Sequence, residues 1–458
     1  MQHIQAAVRF VRDHNIRLVV KNTGHCFLGR SVAPDSLQIL THHLKNIDFV
    51  DNFQPQGCTR NTDYGSAITV IAGMQLKHLY TALGQRNFSA VIGAAHTVGI
   101  AGGYIQGGGH SPLGPWKGMA ADNTLEFTVV TASGDLVVAN DFQNSDLFWA
   151  LRGGGGGSWG VVASVTIRTF PDPPVAVEFL NINTTNPTAF WDFISDFHAA
   201  LPAINDASGS GYYFITSAPN LSISIALLFA NHTTPTNAAA VLDPLIANAN
   251  KTLSPSSVVA LRTHAPSLVE FILSTLLPGE SDDTGSIVRI GSRLVSREFL
   301  SHPSNITRLT ASLEQYFHPD IAGPNSLITG HIVAGGQVAR NSDNSTSINP
   351  AWRRTITHLV GGVTYPPDAS IQQQEEMARR VTERIVPLFK KLEPDMGAYL
   401  NEADAEERNW QGEFWGHGEG GNYAPLKGIK RRWDPEGVFI TRRGVGSEEW
   451  DEEGACRA

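Results

Sequence analysis

The chain has 458 residues, more than one typical hydrophobic core accommodates, which predicts two domains or lobes. A hydrophobic fraction of 41% and an aromatic fraction of 9% are typical of a soluble globular enzyme. The formal net charge of −9 argues against nucleic acid as a partner. No apolar stretch approaches the roughly 20 residues that a membrane span requires, so we expect no membrane partner.

The first elements lead into a polar turn. An amphipathic helix is predicted over Ile4–His14 and a strand over Arg17–Val20. The strand continues into NTGHCFLG, residues 22–29, with His25 in the middle. Such a turn presents several backbone N–H groups together, as a pyrophosphate requires, and the imidazole adds a nucleophile.

Glycine density marks the second loop. After a predicted strand over Ala67–Ala72 and a helix over Gln75–Gly84, six glycines fall between residues 99 and 109. Glycine at this density indicates backbone that approaches a flat or charged group, or backbone at positive φ. A predicted hairpin follows, around Ser133–Asp135.

A third glycine run, Gly153–Gly160, invites comparison with a dinucleotide-binding turn. That fingerprint requires a strand before the glycines and a helix after them. Here a helix-like segment, Ser145–Leu151, comes first, and a β-rich run, Val161–Ile167, follows. The order is inverted, so we reject a nicotinamide site.

The middle of the chain begins after a strong breaker, residues 171–174. Predicted strands such as Tyr213–Thr216 and Leu221–Leu228 interleave with helices near 187–200, 236–249 and 371–388. This pattern predicts an antiparallel sheet with helices on one face. Residues 279–285, GESDDTG, are expected to form an exposed acidic loop or lid.

Four segments resemble motifs of the berberine-bridge-enzyme-like FAD oxidases, in the vanillyl-alcohol-oxidase family. They are KNTGHCFLGRS (21–31), TVGIAGGYIQGGGH (97–110), DLFWALRGGGGGSWGVV (146–162) and a terminal segment from Gly397 through Asn422-Tyr423. The motifs occur in the family's order and cover most of the first 170 and last 60 residues.

The resemblance implies a covalent bond from His25 to FAD. Further cofactor contacts are implied for Asn22, Thr23, Gly24, Gly29, Ser31, Gly93, Thr97, Val98, Gly99, Gly102, Gly103, Gly107, Gly108, His110, Asp122, Val162, Asn422 and Tyr423. His110 either lies near the flavin or only completes its turn, and Asp122 is either structural or a near-flavin contact. Ala95 stands where some members have a second flavin-linked cysteine, so a single bond is expected. Val98 occupies the position of a small residue that admits O₂, which favours an oxidase.

Oxidation of an alcohol or amine also requires a base for the hydroxyl or amine proton. In the resembled sugar and cannabinoid oxidases a strand with a second tyrosine supplies it, and Glu402 holds that position here. Tyr399 and Glu402 are therefore both catalytic candidates. Because residues 399 and 402 face opposite sides of an ideal strand, we expect only one to point at the substrate. Burial would raise the pKa of Glu402 toward that of a base.

The fold class implied is α+β, with a two-lobed PCMH-type FAD-binding domain (1–172), a substrate-binding domain (173–395) and a C-terminal segment (396–458) that returns to the first. In the family a long segment precedes the first helix, so we expect an N-terminally truncated chain. Six of seven Asn-X-Ser/Thr sequons fall between residues 183 and 344, which suggests a secreted glycoprotein, although no signal peptide is present. Three cysteines define no disulfide framework, and scattered histidines without HExxH or CxxC indicate no metal site.

The function expected is that of a monomeric FAD-linked oxidase that uses O₂ and forms H₂O₂. A carbohydrate or a secondary metabolite remains possible as the small-molecule substrate. Loss of tyrosine at Lys117 and Glu402 tilts the choice slightly away from the sugar oxidases. A flavin-binding relative without turnover is the alternative from another class.

Overall fold

Three β-sheets organise the chain. The computed structural model describes residues 1–59, 63–232, 236–279, 282, 288–451, 454 and 456–458. In this part of the chain the strands are β1 (Leu18–Lys21), β2 (Leu37–Leu40), β3 (Ile47–Val50), β4 (Ala67–Ile71), β5 (Phe88–Ala90), β6 (Thr124–Val130), β7 (Leu136–Ala139), β8 (Val161–Pro171), β9 (Val175–Thr184), β10 (Gly209–Thr216), β11 (Leu221–Ala230), β12 (Val258–Ala265), β13 (Val288–Ser296), β14 (Leu327–Ile332) and β15 (Thr355–Thr364).

The helices connect and cover these sheets. They are α1 (Gln2–Asp13), α2 (Leu76–Gly84), α3 (Gly114–Lys117), α4 (Ser145–Leu151), α5 (Pro187–Asp206), α6 (Thr236–Thr252), α7 (Leu268–Phe271), α8 (Arg297–Leu300), α9 (Pro303–Tyr316), α10 (Gly336–Arg340), α11 (Ile371–Arg380), α12 (Val386–Lys390), α13 (Trp410–Trp415) and α14 (Tyr423–Trp433). A single π-turn, Val381–Ile385, joins α11 to α12, so the helix predicted near 371–388 is one continuous helical segment.

The N-terminal region contains the two smaller sheets. One is antiparallel with the order β3-β4-β8-β6-β7, and β5 pairs with the far end of β8. The other is the parallel pair β1 and β2. The predicted hairpin is confirmed, because β6 and β7 pair in register across the turn at Ser133–Asp135. The glycine run at Gly153–Gly160 lies between α4 and β8, in the inverted order expected from the sequence.

The seven-stranded sheet has the order β12-β9-β11-β10-β14-β15-β13, and all its neighbours are antiparallel. Its two faces differ because side chains alternate along a strand. In β10, Tyr213 and Ile215 are buried beneath α5, where the Tyr213 and Phe197 ring centroids lie 5.1 Å apart. Tyr212 and Phe214 face the other side, toward a cavity. The predicted α+β class, with helices covering an antiparallel sheet, is confirmed.

Helix α5 shows why this region folds as it does. Asn186 caps it by accepting a hydrogen bond from the Ala189 amide at 3.2 Å, and Pro187 occupies the first turn, where its missing N–H costs nothing. An apolar stripe along the helix, including Phe190 and Leu201, then packs onto the sheet.

The C-terminal segment packs into the N-terminal core. Trp415 is fully buried, and its indole N–H donates to the Gly153 carbonyl at 3.0 Å. Lys430, in the last turn of α14, is buried. Its ammonium donates to Asp434 and to the Ser158 and Phe439 carbonyls at 2.6–2.7 Å. A charge is tolerated there because three acceptors surround it.

Some expectations remain outside these observations. The domain boundaries at 172 and 395 stay predictions. Of the expected acidic loop, only Gly279 and Asp282 lie among the described residues, and Asp282 is held by hydrogen bonds rather than exposed to solvent. Among the described helices, none combines the length and apolarity that crossing a bilayer would require.

Candidate functional site

A cavity opens where the NTGH turn, the two glycine loops and the C-terminal segment meet. Its wall includes many of the residues expected to contact the cofactor. These are Asn22, Thr23, Gly24, His25, Ser31, Val98, Gly99, Gly102, Gly103 and Val162, joined by Tyr399 and Glu402. The remaining lining includes Arg30, Tyr104, Gln106, Gly156 and Asn401. We refer to this space as the first cavity.

Three buried polar atoms at the wall of the first cavity lack a hydrogen-bond partner in the described part of the chain. Asn22 Oδ1, Arg30 Nη1 and Gln106 Oε1 are buried at its wall without a hydrogen-bond partner among the described residues. Buried polar groups are nearly always satisfied, so three such atoms on one wall indicate a polar bound group. The other guanidinium nitrogen, Arg30 Nη2, donates to the Leu400 carbonyl at 2.8 Å, which fixes the arginine in place. A flavin nucleotide, with its many acceptors and donors, fits this set.

The loops around the first cavity approach each other too closely to accommodate side chains at several glycine positions. A Cβ at Gly156 would lie 2.9 Å from the Cα of Gly103 on the facing loop, and a Cβ at Gly99 would lie 2.0 Å from Asn22 Oδ1. Gly24 has φ +93°, which an L side chain rarely adopts. Glycine is therefore required here by space and by backbone conformation.

Gly156→Ala is expected to weaken cofactor binding, because the new methyl group would push against the backbone of Gly103. Overpacking of about 1–3 kcal/mol corresponds to a roughly 5- to 150-fold rise in the FAD dissociation constant. The measurement is an FAD titration in a His25→Ala background, where no covalent bond masks affinity. Gly420→Ala is the matched control, since a Cβ there meets nothing within 4 Å. Equal affinities for the two variants would contradict the close approach.

His25 stands at the mouth of the first cavity. Its Nε2 lies 2.6 Å from Thr97 Oγ1, and the Thr97 hydroxyl lies 2.6 Å from Asp282 Oδ2. An ionised carboxylate only accepts, so the single hydroxyl proton of Thr97 is donated to Asp282. Thr97 must then accept from the Nε2–H of His25. The proton of the imidazole is thereby placed on Nε2, and Nδ1 carries the lone pair.

Several hydrogen bonds hold Asp282 in position to accept the hydrogen bond of the Thr97 hydroxyl. Its carboxylate also accepts from the Thr97 and His96 amides at 2.7 and 2.8 Å, and from His96 Nδ1 at 2.7 Å. Burial opposes the charge, but these hydrogen bonds together hold the pKa of Asp282 to about 2. Burial lowers the pKa of His25 and the Asp282 charge offsets this only in part, so the imidazole is neutral. A neutral imidazole is the nucleophilic form.

A second cavity of about 370 Å³ adjoins the first, within the roughly 300–1,000 Å³ range of small-molecule sites. It lies against the face of the seven-stranded sheet that the helices leave uncovered. Its lining is mostly apolar and comprises Leu76, Gly93, Ala94, Ala95, Val98, Tyr104, His110, Tyr212, Phe214, Ala226, Leu276, Leu277, Thr329, His331, Tyr399 and Glu402. Val98, Tyr104, Tyr399 and Glu402 line both cavities.

The segment that carries both catalytic candidates is a turn and not the strand expected from the sequence. The Glu402 amide donates to the Tyr399 carbonyl at 2.9 Å, the closure of a four-residue turn. The opposite-face argument for residues 399 and 402 was therefore wrong, and both side chains reach the cavities. Between them, Asn401 donates to the Tyr399 hydroxyl at 2.7 Å and to the Gly103 carbonyl at 2.8 Å.

Three imidazoles surround the Glu402 carboxylate. His110 Nε2 lies 2.9 Å from Oε1, while His331 Nδ1 and His358 Nδ1 lie 3.4 and 3.6 Å from Oε2. Burial raises the pKa of Glu402, but the combined effect of His110, His331 and His358 outweighs it and holds the pKa below its usual range. The expected upward shift was wrong, because the sequence did not show that histidines would converge here. Burial and the Glu402 charge raise the pKa of Tyr399, so the phenol stays protonated.

His110 does more than complete its glycine turn, because it lines the second cavity and contacts Glu402. Its expected position near the flavin stays a prediction. Thr97 and Gly93 are also at the site, through His25 and through the second cavity respectively.

Other expected cofactor residues lie away from both cavity walls. Asp122 forms a buried pair with Arg353, at 2.7 and 2.9 Å, and has a structural role. Asn422 donates to the Ile348 carbonyl, and the Tyr423 hydroxyl donates to Glu448. Gly29, Gly107 and Gly108 are not in the lining either, although a Cβ at Gly107 would lie 2.3 Å from Asn401 Nδ2.

Sequence reasoning missed several site residues, above all His331, His358, Asp282 and Arg30. His331 and His358 are single histidines within apolar strands, opposite each other in the β14–β15 register. A polar residue at an inward-facing position of such a strand was the signal available in the sequence. The sequence did not reveal that these two strands are neighbours. Arg30 belonged to the quoted motif and was passed over.

Two family profiles match the chain. One described as "FAD binding domain" covers residues 1–140, and one described as "Berberine and berberine like" covers 398–446. An FAD-linked oxidoreductase of Arthroderma benhamiae is 46% identical over 463 aligned positions, with 99% of this chain and 77% of that protein covered.

Solved structures agree. The VAO-type flavoprotein MtVAO615 of Myceliophthora thermophila superposes with a TM-score of 0.88 at 31% identity, covering 99% of this chain and 80% of that one. The berberine bridge enzyme of Eschscholzia californica gives 0.75 at 18% identity, covering 96% and 87%, which shows a shared fold.

Proposed function

Because this chain belongs to the berberine-bridge-enzyme-like FAD-linked oxidoreductases, we propose that it oxidises a hydroxyl- or amine-bearing carbon of a small molecule in the second cavity and uses O₂ as acceptor. The shared wall of the two cavities carries the proposal. Val98, Tyr104, Tyr399 and Glu402 face both spaces, so a molecule in the second cavity lies against the cofactor site.

The cofactor and the side chains of the two cavities would have separate roles in the reaction. Bound FAD would supply the acceptor for a hydride from the substrate carbon and the route by which two electrons and two protons reach O₂ to give H₂O₂. Asn22, Arg30 and Gln106 would hold it, since each has an unsatisfied polar atom at its site. Glu402 is ionised and would take the proton from the substrate hydroxyl or amine. Tyr399, held protonated by burial, would donate a hydrogen bond to the same substrate atom.

Among the two substrate classes, an apolar metabolite is favoured over a carbohydrate. A carbohydrate site requires polar side chains along an open groove. The described lining of the second cavity is instead dominated by aliphatic and aromatic groups, with its polar groups gathered around Glu402. One polar end and an apolar remainder suit a largely apolar molecule that carries a single hydroxyl or amine.

Covalent attachment through His25 Nδ1 is part of this proposal. The Thr97–Asp282 contact supports it, because it leaves Nδ1 as the nucleophilic nitrogen of a neutral ring. Ala95 lines the second cavity where a second bond would require a cysteine, so a single bond is expected.

Acid precipitation tests the cofactor assignment. Flavin should stay with the wild-type pellet, and His25→Ala should release all of it into the supernatant. Reduced wild-type protein is then mixed with oxygenated buffer, and an oxidase should reoxidise far faster than free reduced flavin. A peroxide screen of apolar alcohols and amines against oligosaccharides would follow. Slow reoxidation would remove O₂ as acceptor, and a fully loaded protein that no substrate reduces would favour a non-catalytic relative.

We also propose that the protein is secreted and glycosylated. Of the seven sequon asparagines, Asn87, Asn183, Asn231, Asn250 and Asn344 are exposed and Asn220 and Asn305 are half-buried, so all are accessible to some degree. Protein secreted from a eukaryotic host should lose mass on endoglycosidase treatment, by roughly 1–2 kDa per occupied site. Unchanged mobility would contradict glycosylation.

A further inference from the structure

Four side chains from three separate parts of the fold converge at the end of the second cavity. His331 and His358 come from adjacent strands β14 and β15, His110 from the glycine loop, and Glu402 from the C-terminal turn. One potential ligand atom from each lies within 4.8 Å of all the others. We call these four residues the histidine cluster.

Hydrogen bonding alone accounts poorly for the distances in the histidine cluster. The His110–Glu402 contact, at 2.9 Å, is a good hydrogen bond. The contacts of Glu402 Oε2 with His331 and His358, at 3.4 and 3.6 Å, are longer than good hydrogen bonds to a carboxylate. The Nδ1 atoms of His331 and His358 lie 3.2 Å apart, a hydrogen-bond distance at which only one of the two atoms can carry a proton, so the other directs a lone pair into the cluster.

The same distances suit the edges of a coordination polyhedron. Ligands about 2.0–2.1 Å from a tetrahedral cation lie about 3.3–3.4 Å from one another. The three distances among His331 Nδ1, His358 Nδ1 and Glu402 Oε2, which are 3.2, 3.4 and 3.6 Å, bracket that edge. His110 Nε2 lies 2.9 Å from the other carboxylate oxygen, and one ligand atom from each of the four residues lies within 4.8 Å of the others, so side-chain adjustment would complete the coordination sphere.

Two imidazole rings of the histidine cluster are able to present a lone pair to a cation. The outer nitrogens, His110 Nδ1 and His358 Nε2, have no hydrogen-bond partner among the described residues. No outer hydrogen bond therefore locks the tautomer, and each ring can turn a lone pair toward the centre of the cluster.

We propose that His110, His331, His358 and Glu402 bind one divalent cation of the Zn²⁺ class. Three imidazole nitrogens and one carboxylate oxygen form a set preferred by zinc and its neighbours over the hard cations Mg²⁺ and Ca²⁺. His110, His331 and Glu402 line the second cavity, so the cation can accept a further ligand from that space.

This site would act on the substrate directly, a role that rests on the proposed function. A substrate hydroxyl or amine bound to the cation would have a lowered pKa and would lose its proton more easily. Glu402 would then be a ligand of the cation. The cation, by lowering the pKa of the substrate group, would take over part of the role of Glu402 as a base. The polar end of an otherwise apolar cavity would thus be where the reacting group of the substrate is held.

The test uses flavin-loaded wild-type protein purified without a polyhistidine tag. Metal analysis should find about one equivalent of zinc-class metal per chain. After chelation, Co²⁺ titration should produce ligand-field bands between about 500 and 650 nm, saturating at one equivalent, and Zn²⁺ should abolish them. No stoichiometric metal and no cobalt spectrum would overturn the inference, whatever the flavin does.

Variants locate the site. His331→Gln and His358→Gln should each weaken Co²⁺ binding more than about 100-fold, beyond the 10–100-fold typical of outer-shell changes. His198→Gln is the matched control, because His198 is a buried histidine that contacts Tyr213 on the opposite face of the same sheet. Unchanged binding in folded cluster variants would also overturn the site. Flavin absorbance, read in the same spectra, separates loss of the cofactor from loss of the metal.

Discussion

Replacing Glu402 with glutamine should slow reduction of the bound flavin by substrate about 100- to 10,000-fold, the usual contribution of a positioned general base. The amide keeps the shape of the side chain but cannot take a proton or carry the charge that the histidine cluster surrounds. Flavin content should not change, because the unsatisfied atoms that would hold the cofactor belong to Asn22, Arg30 and Gln106. Anaerobic stopped-flow absorbance of the flavin measures the rate directly.

Tyr399→Phe is the matched comparison, since it removes one hydroxyl from the same turn and leaves Glu402 in place. A loss of less than about tenfold is expected, because one hydrogen bond to the substrate contributes about 1 kcal/mol. If Tyr399→Phe were crippled and Glu402→Gln nearly normal, the tyrosine would be the base. Both variants should be checked for metal content, so that a lost cation is not mistaken for a lost base.

The pH dependence of the wild-type reaction provides an independent test of the protonation state of Glu402. An ordinary glutamate would begin to lose its charge near pH 4.5–5, and the rate would fall there. Because the pKa of Glu402 is held below its usual range, the carboxylate stays ionised and the acid limb moves to lower pH. The rate of flavin reduction should therefore show no fall attributable to this group as the pH is lowered from about 8 to about 4, where an ordinary glutamate would be largely protonated.

Thr97→Val should nearly abolish covalent attachment while leaving flavin bound. The valine removes the acceptor for His25 Nε2–H, so the ring loses the contact that fixes both its tautomer and its orientation. Misplacement of a nucleophile commonly costs about 100-fold in rate. In-gel flavin fluorescence after denaturation, followed over time during reconstitution with FAD, gives the attachment rate.

Thr41→Val controls for a lost hydroxyl in the same cavity, because Thr41 lines the first cavity and its hydroxyl donates to the Lys21 carbonyl and not to His25 or Asp282. Asp282→Asn should resemble Thr97→Val in direction. Normal attachment in Thr97→Val would mean that His25 needs no help from Thr97 and Asp282, and the assignment of Nδ1 as the linking atom would lose its basis.

Local elements could be predicted from the sequence because their signals are local. The helix at Ser145–Leu151 and the hairpin around Gly134 follow from periodicity and turn chemistry, and both are present. Four glycines of the first cavity, Gly24, Gly99, Gly102 and Gly103, were also identified, since crowding of glycine has few other causes. The turn at Tyr399–Glu402 was misread because its short apolar and polar alternation is compatible with either structure.

The histidine cluster could not be predicted for a different reason. His110, His331, His358 and Glu402 are separated by up to 292 positions, and only the order of strands in the large sheet brings β14 beside β15. The downward pKa shift of Glu402 follows from that convergence. Burial of Lys430 also depends on a distant contact, because one of its three acceptors, the Ser158 carbonyl, lies 272 positions away in the sequence.

The way the C-terminal segment enters the N-terminal core limits how this protein can be divided. Trp415, Leu426 and Val445 belong to the same apolar cluster as Ile68 and Phe127. Residues 1–172 expressed alone would expose that surface and lack Leu400 as the acceptor that fixes Arg30. A cofactor-binding fragment is therefore expected to aggregate. Exchange of substrate specificity between relatives should succeed when the region of the seven-stranded sheet is exchanged and both ends of the chain are kept from one protein.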